Sequence, residues 1–530
     1  MKDGKNVVTG YAGTSYEDYC ERYDELVASD AKDEYGYYTT LSTEEKNLES
    51  LMNRFREKLI GDKYVYAVRD EKPQPRVFPP IRAFYEVRKK IDADPLLGTF
   101  KRMPKGGNLH IHTSSTISAD DFIDMLVEFD KKDKAKVVVY MGNDGKYKFG
   151  QYTILYLKKD IPSNDFWRMK NLSPDQKADL LSHLTMSDDR INDIKYIWDE
   201  FDEIFQRVYH VLAVREIYKK YYTEAFKRMI DDNTEHVELR FGPSILKDSN
   251  DDEVLGNPYT PEDTDEAKFE SVKLIYDCYK AAQIYAEPLG KTFTLRLVVT
   301  SSRKKKEDII PTIDDYKKDI AWVIKYRDRD EIKDNGEKFI VGYDLVSEED
   351  RGWNTNDVAE AFFDNNKMVD VPFLFHDGES CWADNKNVFS AVAMGSVRIG
   401  HGINLYHFPE VLKEVKTKNV TLEVCPISNQ LLRYTQDLRI HPVAEYMKRG
   451  LNCVICNDDP QIFNYNGLAY DFWEIYYSQM IGLGAIKRLV FNSIQFSMLG
   501  KQKSTQIDKL QKEWAAFVKE EIKILEKINR

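Results

Sequence analysis

His110 and His112 stand two apart in the apolar run Gly107–His112. Side chains of an extended strand alternate with a period of two, so both imidazoles point the same way. Such an H-x-H pair is a ready bidentate ligand for a borderline metal such as zinc. Alone it is a weak signal, since a solvent-facing or core pair gives the same pattern. Three further groups strengthen it. His376 ends the run Val371–Phe375 and continues into Asp377, Gly378 and Glu379, where Gly378 permits a tight turn that returns Glu379 over the strand end. His401 lies between Gly400 and Gly402, which let backbone and ligand approach closely. Asp458 and Asp459 follow the apolar run Asn452–Cys456, and adjacent carboxylates there are costly unless a cation or hydrogen-bond donors receive them.

Together these supply His110, His112, His376 and Asp458 as metal ligands, with Glu379, His401 and Asp459 left for proton handling. Water in an open coordination position has its pKa lowered towards about 7. His401 could accept a proton from that water or orient it. Glu379, kept protonated by desolvation, could donate to a ring nitrogen, and Asp459 could hydrogen-bond another.

The elements that must position these residues read as a barrel. Eight short β-branched runs end in polar residues and are followed by helical segments: Gly107–His112, His236–Gly242, Phe293–Ser301, Lys338–Val346, Val371–His376, Arg398–Ile403, Val420–Cys425 and Asn452–Asn457. Strands alternating with helices predict a parallel sheet, and eight of them predict an α/β fold of the (β/α)₈ TIM-barrel class. The His, Glu and Asp residues fall at the C-terminal ends of the first, fifth, sixth and eighth strands, the face on which such barrels build active sites.

Additions flank this core. Residues 1–100 predict a helical N-terminal arm, with a capping box at Ser42 and Glu45 and an apolar face of Leu48, Leu51, Met52, Phe55 and Leu59. That face needs a partner, either the barrel or a second subunit, and the Pro-rich stretch Lys72–Pro80 ends this helical element and acts as a linker or arm. The barrel spans 101–500, with an inserted subdomain over its mouth at about 128–200. The insertion carries a hairpin, Lys136–Tyr140 and Tyr147–Leu157 around Asn143-Asp-Gly, and then a helix bearing Trp198, Phe201, Phe205, Val208 and Leu212. A C-terminal amphipathic helix fills 501–530.

Composition narrows the function class. The net charge of −12 argues against a nucleic-acid polymer as partner, and a small molecule fits better. The basic cluster Arg303–Lys306 could still meet a phosphate, but reads first as a solvated loop. No segment has the apolar length to span a bilayer, so no membrane partner is expected. The N-terminus shows no secretory pattern, and six scattered cysteines make no disulfide framework, so a cytoplasmic enzyme is the simplest expectation.

With these residues in view, the chain resembles the adenosine/AMP deaminase family, and most its adenosine deaminase-related growth factor branch. The matching stretches are Met103–His112, His236–Arg240, Gly342–Val346 with Glu349 and Asp350, His376–Glu379, Arg398–Gly402, Glu423–Gln430 and Asp458–Pro460. They run in family order over roughly residues 100 to 465. The resemblance implies one zinc ion per chain on His110, His112, His376 and Asp458. It implies Glu379 as proton donor to purine N1, His401 as partner of the attacking hydroxide, and Asp459 as the N7 contact. It also implies an adenine nucleoside as substrate, release of ammonia from C6, and a homodimer formed through the arm.

Three departures bear on specificity. After His112, where the family often has a sugar-binding acid, the run is Thr113-Ser-Ser-Thr116. Hydroxyls there could meet the phosphate of an adenine 5′-nucleotide, or could cap the following helix. Ser347 replaces a glycine whose backbone N–H contacts purine N3 in the family, and Asp377 replaces a small residue. That carboxylate could raise the pKa of Glu379 by repulsion or point away into a salt bridge. Rival readings are weaker. His236-Val-Glu238 with Cys453-Val-Ile-Cys456 imitates a cytidine-deaminase signature, but both lie in barrel strands. A two-metal hydrolase would want a bridging lysine that the fourth strand lacks, and a catalytically silent barrel acting as a binding protein would have no need of the full residue set.

Overall fold

The computed structural model describes residues 15–31, 39–61, 78–132, 136–142, 150–157, 164–186, 197–247, 265–303 and 313–528. Eight parallel strands, numbered here in barrel order, close on themselves. They are β1 (Gly106–His112), β2 (Thr234–Phe241), β3 (Thr294–Ser302), β4 (Ile340–Val346), β5 (His376–Asp377), β6 (Arg398–His401), β7 (Thr421–Val424) and β8 (Asn452–Ile455). Strands β1 to β4 pair in parallel, as do β5 to β8. Tyr343 joins the halves: its N–H donates to Pro372 O and its carbonyl accepts from Leu374 N, both at 3.0 Å. On the opposite side the His112 N–H donates to Asp458 O and the Asp458 N–H to His110 O, both at 3.1 Å. The seam that closes the barrel is therefore made by three of the residues singled out as metal ligands.

Each strand run read from the sequence contains its observed strand within a few residues, except the fifth. The run Val371–His376 is regular only at its last residue, because Pro372 has no N–H to give the ladder and Phe373 joins Tyr343 by a single bridge.

The insertion is a three-stranded antiparallel sheet rather than a hairpin. Lys136–Tyr140 is central, with Ile154–Leu157 on one side and Phe166–Arg168 on the other. The turn expected at Asn143 lies outside the described residues. Phe166–Arg168 is too short to show a period, and tertiary bonds hold it: Arg168 forks onto the buried Asp130 carboxylate at 3.0 Å. The following helix Ile197–Leu212 carries Trp198 and Phe201 to the barrel mouth.

In the arm, helix Thr43–Leu59 starts with the expected capping box. Its Leu48, Leu51, Met52 and Leu59 are buried within the chain's own core. Burial of such a side chain contributes roughly 1.5–3 kcal/mol. The helix packs on the C-terminal helix Lys503–Ile528 and on Leu483–Gln495. Glu45 Oε1 ties the three together, accepting from Trp514 Nε1 at 2.8 Å and Lys487 Nζ at 2.6 Å. The preceding helix Tyr16–Ala31 buries no residue and exposes Tyr16, Tyr19, Tyr23, Leu26 and Val27. All six cysteines are free thiols. No helix among the described residues is long and apolar enough to cross a membrane.

Candidate active site

His110, His112, His376 and Asp458 meet at the C-terminal mouth of the barrel, with ligand atoms all within 4.8 Å of one another. Asp458 Oδ1 lies 3.4 Å from His110 Nε2 and 3.1 Å from His112 Nε2, and His112 Nε2 is 3.2 Å from His376 Nε2. Ligands about 2.0–2.1 Å from a tetrahedral ion stand roughly 3.3–3.4 Å apart, so this spacing suits zinc. The donor chemistry agrees. His110 Nδ1 donates to Glu423 at 2.8 Å and His376 Nδ1 to Asp344 at 2.7 Å, which leaves both Nε2 lone pairs facing inward. His110 Nε2 and Asp458 Oδ1 are buried without a hydrogen-bond partner, two electron-pair donors turned on each other. A cation between them resolves that conflict. A second grouping, His110, His401, Cys425 and Asp458, is equally compact. Burial beside Cys456 pushes the Cys425 thiol well up, however, and a thiol is no ligand until ionised.

Beneath the ligands the barrel interior holds a network of paired charges. Arg240 from β2 bonds Asp344 of β4 and Glu423 of β7, and Arg398 from β6 bonds Glu423 and Glu238. Burial pushes Glu423 up, but Arg240 and Arg398 overcome it and hold the carboxyl well below its ordinary range. Against burial, His376 and Arg240 bring Asp344 to about 2. Both therefore stay ionised as acceptors for the ligand histidines. Burial in turn lowers His376 to about 4, the neutral state a ligand needs. The signature-like His236 is structural, bonding Thr294 Oγ1 at 2.9 Å and Glu238 at 3.1 Å.

The turn after β5 aims Glu379. Gly378 adopts φ +86°, and a Cβ there would lie 2.6 Å from Val388 Cγ1 and 2.8 Å from Asn404 Oδ1. The buried Glu349 carboxylate clamps the same turn, accepting from Glu379 N at 2.6 Å, Gly378 N at 3.0 Å and Asn387 Nδ2 at 2.7 Å. Glu379 is pushed well above the usual carboxyl range by burial first, then by Asp458, Glu349, Asp459 and Asp350. Asp377 takes the salt-bridge alternative: it points away to Arg303 at 2.7 Å and Thr355 Oγ1 at 2.6 Å. Arg303 is accordingly buried beneath β5 and not a solvated residue, while Lys304–Lys306 lie outside the described residues.

Asp459 Oδ1 accepts from the Ser115 hydroxyl, and burial followed by Asp458 raises the Asp459 carboxyl well above normal. Thr113–Ser115 form a 3₁₀ turn, and Ser118, not Thr113, caps the following helix by accepting from Asp121 N at 3.3 Å. His401, Ser347 and Asp458 hold φ of +60°, +81° and +58°, unusual for residues with a side chain and typical of functional sites. Burial drives His401 well down, so its ring is neutral.

These residues border a cavity of about 490 Å³, within the range of small-molecule sites. His112, His376, Asp458, Glu379 and Asp459 line one end; Trp198, Phe201 and Phe205 wall another; Thr113 and Ser347 complete it. Every site residue read from the sequence is thus gathered at this mouth, with His110 and His401 buried behind it. The roles of Glu349 and Ser115 were not foreseen, because they arise from long-range bonds, although Glu349 sits inside a stretch that carried the resemblance.

A family model described as Adenosine deaminase matches residues 171–513, beginning after β1 and taking in β2 to β8. "Adenosine deaminase 2" of Dictyostelium discoideum is 29% identical over 426 residues, 75% of this chain and 69% of that protein. "Adenosine deaminase" of Phlebotomus duboscqi is 27% identical over 529 residues, covering 95% and 92%. Among solved structures, Arabidopsis ADAL complexed with IMP is alike in fold, with a TM-score of 0.53 at 15% identity over 79% of this chain and 99% of that one.

Proposed function

Because this chain belongs to the adenosine deaminase family and is an aminohydrolase acting on purines, we propose that it is a zinc-dependent deaminase of adenine nucleosides. It converts adenosine and water to inosine and ammonia. The observation that carries this reading is the convergence of three inward-facing histidines and Asp458 beside the buried, unpartnered Glu379 Oε1. Zinc held by His110, His112, His376 and Asp458 would lower the pKa of water and so supply a nucleophile at neutral pH.

The chain's own groups do the rest. Glu379, protonated in its buried setting, donates to purine N1 and draws electrons from C6. Asp459 is also kept protonated. With Oδ1 taken by Ser115 its proton lies on Oδ2, free to donate to N7, which is an acceptor only. Ser347 lines the cavity, and its backbone N–H would meet N3 as the resemblance implies. Once the oxygen of water is bonded to C6, the 6-amino group takes the proton remaining on that oxygen and leaves as ammonia, while N1 keeps the proton from Glu379.

The cavity favours a nucleoside over a nucleotide. Among the described residues that line it, Arg240 is the sole Lys or Arg, and Asp344 and Glu423 already neutralise it. Asp202 joins Glu379, Asp458 and Asp459 as lining acids. Of the hydroxyl run that suggested a phosphate, Ser115 already serves Asp459. A phosphate would find no unneutralised lysine or arginine among the described residues that line the cavity.

Ammonia release by the zinc-loaded chain from adenosine, 2′-deoxyadenosine, AMP, dAMP and ATP tests this. Adenosine should exceed AMP in kcat/KM; preference for a nucleotide would overturn the reading. The exposed tyrosine face of helix Tyr16–Ala31 supports a homodimer, and a monomeric mass by light scattering would refute it.

A further inference from the structure

The tautomer of His401 can be read from a chain of hydrogen bonds that begins at a group with no choice. The backbone N–H of Val443 can only donate, and it meets His441 Nδ1 at 3.2 Å. That nitrogen therefore carries no proton. His441 is buried, and burial lowers it to about 3, so the ring is neutral and its proton sits on Nε2. Nε2 lies 3.1 Å from Asn429 Oδ1. This orients the Asn429 amide, whose NH₂ then faces His401 Nδ1 at 3.0 Å. His401 Nδ1 is an acceptor, and the single proton of its ring is on Nε2.

That Nε2 faces the site, 3.5 Å from Glu379 Oε1 and 3.9 Å from Asp458 Oδ2. Three separate elements build the chain: His401 ends β6, Asn429 lies in helix Pro426–Leu431 after β7, and His441 follows the turn Leu438–Ile440. All three side chains are buried.

We propose that Asn429 and His441 are positioning residues that fix His401 as the Nε2–H tautomer, so that His401 meets the reacting oxygen as a hydrogen-bond donor and not as a proton acceptor. Of the two roles the sequence leaves open for His401, the chain selects orientation. Its effect on turnover rests on the deaminase reading; the tautomer does not. Reversing a catalytic histidine's tautomer elsewhere costs about 10⁴-fold in kcat.

The test uses the zinc-loaded full chain carrying ¹⁵N-histidine, with the His401 resonances assigned by their loss in His401→Gln. The parent should show His401 protonated on Nε2. Asn429→Asp presents only acceptors, so its His401 should carry the proton on Nδ1. With the proton there alone, kcat for adenosine at about pH 8 should fall at least about 10²-fold. Affinity for 1-deazaadenosine, which lacks the nitrogen that Glu379 protonates, should hold. A parent His401 protonated on Nδ1 overturns the proposal. So does an Asn429→Asp chain with Nδ1–H alone that keeps kcat within about threefold of the parent. Should Asn429→Asp not fold, the parent spectrum decides. A parent with Nε2–H that leaves adenosine untouched refutes the deaminase reading and leaves the tautomer assignment standing.

Discussion

Glu379 Oε1 lies 3.5 Å from His401 Nε2, and neither of these buried atoms has a hydrogen-bond partner. An acid and an N–H donor thus share one small space beside the metal ligands. The acid is held protonated by burial first, and then by Asp458 and Glu349. A carboxyl with a raised pKa is in its donor form below that pKa and loses the proton as pH rises through it. Turnover should therefore fail on the alkaline side. Glu379→Gln should lower kcat by about 10²–10⁴-fold while 1-deazaadenosine still binds. Steady-state kinetics across pH check both.

Glu349 reaches the chemistry through backbone. Its two oxygens receive the N–H groups of Gly378 and Glu379, so Glu349→Gln leaves a buried donor facing an NH₂ group. A catalytic group misplaced by about 1 Å loses on the order of 10²-fold in rate. The variant should show that loss in kcat with KM and bound zinc unchanged. A raised KM at full kcat would assign Glu349 to substrate binding instead.

How far these residues were legible in the sequence depends on the range of the interactions that place them. The period-two strand run set His110 and His112 on one face, and the run ends set His376, His401 and Asp458 at one mouth. Local pattern sufficed there because strand direction and burial are local properties. Glu349, Asn429 and His441 escaped because their partners lie 12 to 38 residues away and their roles exist only when loops meet. Arg303 was read as solvated because the lysines beside it dominate its neighbourhood, whereas Asp377, from 74 residues on, draws it inside. The third insertion strand failed for brevity: Phe166–Arg168 offers too few residues for any period to appear.

The Arg303–Asp377 pair yields a stability prediction. Removing one member of a buried pair leaves a charge without its partner, at a cost of about 3–5 kcal/mol. Asp377→Ala should lose stability in that range, because Arg303 then keeps only neutral acceptors such as His376 O and Trp353 O. The double variant Arg303→Met/Asp377→Ala should recover part of it. Denaturant midpoints for the four members of the cycle measure the coupling.

At the foot of the barrel, burial and then the neighbouring Glu513 raise Glu235 to about 8, against Lys509 and Gln506. The unfolded chain ionises this group near its ordinary pKa, whereas the fold retains the proton. Between those values the unfolded state binds fewer protons, so stability falls as pH rises from about 4.5 to about 8. Glu235→Gln removes this dependence. Relative to the parent, the variant should gain thermal stability progressively from pH 5 to pH 8; a constant difference across that window would contradict the assignment.

Ammonia release from adenosine, with zinc counted in the same sample, bears most directly on the central claim. About one zinc per chain and turnover of adenosine are expected, with both lost in Asp458→Ala. A fully metal-loaded chain that releases no ammonia from adenosine, or an Asp458→Ala chain that keeps its zinc and its rate, would contradict it.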